Sequence, residues 1–131
     1  MAIDYGGRRI GVAVSDSGVL ATPHSVVPNA GDVVATLADL ARELDATTIV
    51  VGIPRRQFRD RAEDKFREFA ERLRQQTCKE VVLWDEALTT VDAAERLRAA
   101  GRKRREAQRD IDMAAAAVIL QSWLDAQRRQ S

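Results

Sequence analysis

The chain opens with short apolar runs that are separated by turn-forming residues. The first run ends at Asp4, and residues 9–15 and 19–27 continue as two further runs. Runs of this length, bounded by glycine, serine and aspartate, are typical of strands in an antiparallel meander. The glycine pair at positions 6–7 suits a tight hairpin with positive φ. Pro23 favours an edge or bulge position for the third strand.

After residue 32 the apolar positions change to helical spacing, and Asp32 is placed to cap a first helix. That helix is predicted from Val33, Leu37, Leu40, Ala41 and Leu44. The later elements are predicted as a buried strand at 47–54, a helix at 62–73, a strand at 80–86 and helices at 91–100 and 111–123. The last helix has a predicted apolar face of Ile111, Ala114, Ala115, Val118, Ile119 and Trp123.

The resulting order, βββαβαβα, predicts an α/β fold in which a five-stranded mixed sheet is flanked by helices. We expect one domain over residues 1–131, because this length is typical of a single domain. Trp84 and Trp123 are expected to lie in the core. Cys78, the one cysteine of the chain, is expected to be a buried or half-buried small apolar residue.

Composition indicates a soluble, cytoplasmic protein without a membrane partner. The chain is 45% hydrophobic and 31% charged, and no apolar stretch approaches the roughly 18 residues that span a bilayer. The formal charge of +1, from 21 basic and 20 acidic residues, does not by itself suggest a polyanionic partner. Local basic segments at 101–109 and at Arg55–Arg56 can nevertheless attract phosphates or form solvated surfaces.

Three acidic positions coincide with the ends of predicted elements. Asp4 ends the first strand, the Asp85–Glu86 pair ends the last strand, and Asp112 lies in the first turn of the final helix. If the first and last strands are parallel and adjacent, these carboxylates meet at one edge of the sheet. Converging carboxylates repel each other unless a cation or proton intervenes, and hard oxygen ligands favour Mg²⁺ or Mn²⁺. Taken singly, Asp112 also fits a helix-dipole role and Asp85 a turn.

Further residues near these acids suit phosphate binding. Gly6 either lets a nucleic-acid backbone approach Asp4 closely or serves only to form the hairpin. Arg8 and Arg9 alternate across the second strand, so that only one of the two can face the site and bind a phosphate there. Other candidate substrate contacts are Thr89 at a helix start, Arg55 after the fourth strand, and Lys103 and Arg104 in the basic segment before Asp112.

Four ordered blocks resemble the YqgF family, also called RuvX, of the RNase H-like superfamily. They are IDYGGRRIGVAVSD, TIVVGIP, VVLWDEALTTVDAAERL and DIDMAAAAVILQSWL. The resemblance implies an RNase H-like fold and a metal-dependent endonuclease. In that site Asp4, Glu86 and Asp112 match the acids that hold Mg²⁺ or Mn²⁺, with Asp85 as the second choice for the middle position. The implied partner is nucleic acid, either the structured RNA of the pre-16S ribosomal precursor at its 5′ end or the branched DNA of a Holliday junction.

The chain departs from the family pattern at three places. Ala87 replaces an arginine after the acidic pair, and residues 55–65 replace a polar loop with an Asp-Gly turn. Asp4 also lies so near the first residue that either the first strand is unusually short or the true start lies upstream. The first two departures leave open a nucleic-acid-binding module with weak catalysis. The segment at 4–7 also resembles the phosphate loop of actin-like ATPases, which need a second domain. A homodimer through exposed apolar residues of the second helix is a further expectation.

Overall fold

The computed structural model describes residues 1–53, 62–85 and 108–130. The strands are β1 (Ala2–Tyr5), β2 (Arg9–Val14), β3 (Thr22–Pro28), β4 (Thr48–Ile53) and β5 (Glu80–Asp85). The helices are α1 (Val33–Glu43), α2 (Ala62–Thr77) and α3 (Gln108–Gln130). These elements confirm the predicted order, whereas the helix predicted at 91–100 lies outside the described residues.

Within the described residues the five strands form one mixed sheet in the order β3-β2-β1-β4-β5. The first three strands form the predicted antiparallel meander, and β1, β4 and β5 are parallel. β3 is an edge strand, as Pro23 predicted, and the register between β2 and β3 shifts at Val12 and Ala13. The β-branched run of β4 lies between β1 and β5, where both faces of the strand are covered.

Helices cover the two faces of the sheet differently. α1 and α2 pack on one face, where large side chains such as Ile3, Val51 and Leu73 are buried. α3 packs on the other face, where alanines such as Ala2 and Ala116 predominate. Because successive residues of a strand point to opposite faces, Ala2 and Ile3 belong to different cores. The small side chains under α3 allow that helix to approach the sheet closely.

Several local predictions can be compared directly with the backbone. The Asp32 side chain accepts a hydrogen bond from the Ala35 amide at 3.2 Å, which confirms the cap of α1. The prediction of positive φ at positions 6–7 is wrong, since the described glycines with positive φ are Gly18 and Gly31. Cys78 is exposed, with φ of 57° directly after α2, so its predicted burial is also wrong.

The predicted apolar face of α3 is correct only in part. Of that face Ile119 is buried, whereas Ala114, Ala115, Val118 and Trp123 are half-buried. The buried apolar residues of α3 are Met113, Ala116, Ala117, Ile119, Leu120 and Leu124. The helix carries apolar residues all round, so that its spacing defines no single stripe.

The structure removes the reason for expecting a dimer through α2. Phe66, Phe69 and Leu73 of that helix are buried, and the exposed large apolar side chains among the described residues are Val19 and Leu20. Both of these belong to the loop between β2 and β3.

Among the described helices, none is long and apolar enough to cross a membrane.

A buried amide fastens α3 to the loop between β2 and β3. Gln121 is fully buried. Its Oε1 accepts from the Ala21 amide at 2.9 Å, and its Nε2 donates to the Val19 carbonyl at 2.8 Å and to Asp125 Oδ1 at 3.1 Å. Arg128 donates to the same Asp125 oxygen at 3.0 Å. Buried polar groups are costly unless they are paired, so this network fixes the position of α3 along the sheet.

We expect Gln121→Leu to lower the free energy of unfolding by roughly 2–4 kcal/mol, because two backbone groups of the loop lose their buried partner. Urea denaturation measures this difference. Gln75→Leu, at an exposed position of α2, is the matched control and should change stability by less than about 0.5 kcal/mol. Equal loss of stability in both variants would contradict the role assigned to Gln121.

Candidate functional site

Asp4 lies at the centre of the sheet between two glycines. It pairs with Gly11 of β2 and with Gly52 of β4, and Gly52 in turn pairs with Trp84 of β5. Asp4 is half-buried and has the strand parity of Ala2, which packs under α3. Its carboxylate therefore belongs to the α3 face. The paired positions on either side of it, in β2 and β4, carry no side chain of their own.

α3 is held against this part of the sheet by Gly52. A Cβ atom built on Gly52 would collide with Ile119 Cδ1 and would lie 3.1 Å from Ile119 Cγ1. Ile119 therefore occupies the space over the strand next to Asp4. Position 112 lies in the same helix seven residues earlier, which is almost two full turns. The side chain of Asp112 is outside the described residues.

The parallel strands bring Asp4 of β1 and Asp85 of β5 to the same edge of the sheet. The two strands themselves are not adjacent. β4 lies between β1 and β5, so the strand axes are about 10 Å apart. The expectation of neighbouring strands is therefore wrong in this respect. The carboxyl ends of β1 and β5 nevertheless share an edge, because both strands run parallel to β4.

The strand register determines the face of the sheet on which Asp85 lies. Asp85 has the parity of Val81 and Leu83, which pack with the α1–α2 core. It therefore lies on the face opposite to Asp4. Glu86 is outside the described residues.

The tryptophans confirm their expected core position. Trp84 and Trp123 are half-buried and pack against the α3 core. The Trp84 Nε1 atom donates a hydrogen bond to Ser122 Oγ at 3.3 Å. The ring of Trp84 thus lies on the Asp4 face, one strand beyond Gly52.

The hairpin after Asp4 is tightly packed. A Cβ atom on Gly6 would collide with the carbonyl oxygen of Arg9, so glycine at this position is required by the turn itself. The side-chain Nδ2 of Asn29 donates to the Gly6 carbonyl at 2.8 Å, and the backbone N–H of Asn29 donates to the Arg8 carbonyl at 2.9 Å. No local pattern in the sequence indicates this role of Asn29, because it bonds to residues more than 20 positions away.

The two arginines of the hairpin are both exposed. Arg9 is the first residue of β2 and shares strand parity with Gly11 and Ala13, which places it on the Asp4 face. Arg8 precedes the strand and belongs to the turn. Of the other predicted substrate contacts, Arg55, Thr89, Lys103 and Arg104 lie outside the described residues.

A described pocket lies at the opposite end of the sheet from Asp4. It has a volume of about 460 Å³ and is lined by residues that include Ser15, Asp16, Asp45 and Thr47. Met1 also lines it; burial lowers the pKa of the Met1 α-ammonium group, which donates to the Thr48 carbonyl at 3.0 Å. This pocket is separate from the edge where β1 and β5 end.

Among the residues that the structure describes, no group of three or more His, Cys, Asp and Glu side chains could hold a metal ion. Asp4 is the predicted ligand whose side chain is described. His24 lies on the edge strand β3, where its Nδ1 is 2.9 Å from Ser25 Oγ.

Comparison with known proteins agrees with this geometry. A family model described as "RuvX: Holliday junction resolvase" matches residues 1–126. A protein of Nocardia farcinica is 44% identical, covering 95% of this chain and 76% of the relative. A protein of Mycobacterium tuberculosis H37Rv is 47% identical, covering 95% and 77%. Both relatives carry the name "Putative pre-16S rRNA nuclease".

Solved structures with similar folds include RuvC of Thermus thermophilus. The structure of that protein alone gives a TM-score of 0.63 at 14% identity, covering 97% of this chain and 94% of the other. The structure of its complex with a Holliday junction substrate gives 0.61 at 16% identity, covering 96% and 92%. At this identity the likeness shows the fold, and it confirms the RNase H-like class. The match over residues 1–126 shows that the chain belongs to the RuvX family, a family of nucleases and hence of phosphodiester hydrolases.

Proposed function

We propose that this protein is a divalent-metal-dependent endonuclease that cuts the RNA precursor of the small ribosomal subunit. The observation that carries the proposal is the placement of Asp4. This acid is half-buried on the α3 face, between two glycine positions, at the edge where the parallel strands end. A half-buried carboxylate at the end of a central strand suits a bound cation and a phosphate better than it suits core packing.

Glu86 is proposed as the middle ligand. Side chains alternate along β5, with Trp84 on the α3 face and Asp85 on the opposite face. If the alternation continues by one residue, Glu86 belongs to the face of Asp4. This reasoning favours Glu86 over Asp85, although both carboxylates stand next to each other in the sequence.

Asp112 is proposed as the third ligand. Its position precedes Ile119 by seven residues, so both positions belong to the same side of α3. Since Ile119 packs over Gly52, this side of the helix is the one that approaches the strand beside Asp4. The helix then supplies an acid from a distant part of the chain to the edge of the sheet.

The donor set fits magnesium or manganese. Three carboxylates offer hard oxygen ligands without a histidine or a thiol, and Mg²⁺ and Mn²⁺ prefer such ligands. A divalent ion bound there would help to activate water for attack and would neutralise charge on the leaving oxygen. Asp4, Glu86 and Asp112 would hold the ion in place, and without a cation their charges would repel one another.

Arginine side chains of the hairpin are proposed to hold the substrate. Arg9 has the strand parity of the Asp4 face, where its guanidinium can bind a phosphate through two parallel hydrogen bonds. Arg8 at the turn would contact a neighbouring phosphate. Thr89, Arg55, Lys103 and Arg104 remain proposed contacts on sequence grounds.

The choice of RNA over branched DNA follows the curated relatives. Proteins 42–47% identical over 95–98% of this chain carry a name that refers to pre-16S rRNA. The description of the family model and the RuvC complex refer to Holliday junctions, which makes a four-way DNA junction the second candidate substrate. RuvC itself is 14–16% identical to this chain and supports the fold only.

We expect Asp4→Asn to reduce Mn²⁺-dependent RNA cleavage by at least about 100-fold, because even groups that only support metal ligands are worth 10–100-fold. The thermal midpoint should stay equal or rise, because one charge is removed from a cluster that repels itself. Cleavage rates and thermal unfolding are measured on the same preparations. A variant that cuts at the parental rate would contradict the proposed site.

A matched pair of variants separates the two adjacent acids. Glu86→Gln should reduce cleavage as Asp4→Asn does, whereas Asp85→Asn should keep the rate within about threefold, because Asp85 lies on the other face of the sheet. Both substitutions remove one charge and conserve shape. The reverse order of effects would show that the strand alternation does not continue through residue 86.

A substrate panel tests the choice of nucleic acid. With Mn²⁺ present, we expect the parent protein to cut an RNA that spans the 5′ end of the pre-16S sequence faster than a four-way DNA junction of equal length. Asp4→Asn on each substrate controls for contaminating nucleases. Cleavage of the junction alone would replace the RNA proposal by the resolvase alternative, and binding without cleavage of either substrate would favour the binding-module alternative.

A further inference from the structure

Tyr5 follows Asp4 directly but belongs to the opposite face of the sheet. Its ring packs edge-on against Phe69, with centroids 4.5 Å apart and planes at 62°, and against Phe66 at 5.7 Å and 74°. Both phenylalanines are buried residues of α2. The ring is therefore fixed at the end of β1 by two aromatic contacts of a favourable geometry.

Lys65 of α2 is held by this ring. Its Nζ lies 5.5 Å from the centroid of Tyr5, within the distance of a cation–π interaction. The side chain of Lys65 is exposed. The positive charge of Lys65 thus lies near the end of β1, at the same edge of the sheet as Asp4 but on the face of α1 and α2.

The charge of Lys65 is not neutralised within the described part of the chain. Three arginines there form ion pairs with a carboxylate three residues earlier: Arg42 with Asp39, Arg74 with Glu71 and Arg128 with Asp125. Lys65 forms no such pair with any described residue, and its described partner is the ring. A ring quadrupole attracts an ammonium group without cancelling its charge. Lys65 therefore keeps its attraction for an anion.

The position of α3 determines how a polyanion can reach Asp4. α3 covers the Asp4 face, with Ile119 packed over Gly52. Since described helices cover both faces of the sheet, a nucleic-acid strand is expected to approach Asp4 across the edge where β1 ends. Lys65 stands at this edge on the side of α2.

We propose that Lys65 binds a backbone phosphate of the substrate next to the phosphate that is cut. The inference rests on the proposed nuclease function, since it assigns a contact to the same substrate. Lysine binds phosphate as a point charge, so the contact carries no sequence preference. It extends the phosphate-binding surface from Arg9 on one face of the sheet to Lys65 on the other.

The test is the salt dependence of RNA binding. Affinity for a labelled RNA spanning the pre-16S 5′ end is measured from about 50 to 200 mM salt, a range over which phosphate contacts dominate the change. EDTA prevents cleavage during the measurement. The variants are Lys65→Gln, Lys65→Arg and the control Lys79→Gln, which removes the same charge just before β5, at the opposite edge.

We expect Lys65→Gln to reduce the slope of log affinity against log salt by about 0.7–0.9, the value of one phosphate contact. Lys65→Arg should keep the parental slope because it keeps the charge, and Lys79→Gln should also keep it. In Mn²⁺ assays Lys65→Gln should raise KM severalfold while kcat stays within about twofold, as expected when binding alone is lost. A general structural defect would not produce this combination.

The outcomes separate this inference from the proposed function. If the parent binds and cuts RNA and Lys65→Gln leaves the slope and KM unchanged, the Lys65 assignment is wrong and the nuclease proposal stands. An equal change in Lys65→Gln and Lys79→Gln would also overturn it, because the effect would then be one of net charge. If the parent neither binds nor cuts nucleic acid, both proposals fail.

Discussion

Gly52 has no side chain, and Ile119 of α3 occupies the space that a Cβ atom would need. This contact sets how closely α3 approaches the sheet, because a larger residue at position 52 would push the helix away. It lies next to Asp4, since Gly52 and Asp4 are paired in the sheet. The proposed site depends on this distance, because Asp112 belongs to the helix and Asp4 to the strand.

Strand alternation then decides which polar residues share the space near that contact. Asp4 and Arg9 belong to the α3 face, while Tyr5 and Asp85 belong to the face of α1 and α2. The proposed catalytic residues and the aromatic residues that pack at the end of β1 therefore lie on opposite faces of the sheet, at the same edge. On the first face are the acid and a guanidinium group. On the second face, aromatic packing fixes the end of β1 and holds Lys65.

The strands and the order of the elements along the chain could be predicted from the sequence because the signals are local. Short apolar runs between turn residues gave the meander, and the β-branched run of β4 gave a strand covered on both faces. Pro23 correctly indicated an edge strand. The resemblance of four sequence blocks supplied the family, which the match over residues 1–126 confirms.

Other features depend on contacts between distant residues, which spacing cannot reveal. α3 is apolar all round, so the face that meets the sheet is selected by the fit of Ile119 to Gly52. Asn29, which follows β3, forms hydrogen bonds with the hairpin between β1 and β2. Lys65 lies over the ring of Tyr5 because α2 packs on the sheet.

Local rules also failed where a residue adopts an unusual conformation for its type. Cys78 takes a positive φ directly after α2, a position where glycine is common, and its side chain is exposed. For the adjacent Asp85 and Glu86, composition offers no distinction, and only the register of β5 shows that Asp85 belongs to the face of α1 and α2.

The most direct test of the central claim is a crystal structure of the protein with Mn²⁺, in which anomalous scattering locates the ion. The account predicts an anomalous peak in contact with the Asp4 carboxylate on the α3 face, with Glu86 and Asp112 as further ligands and Asp85 turned away. A peak bound by Asp85 on the face of α1 and α2, or full Mn²⁺ occupancy elsewhere with none at Asp4, would contradict it.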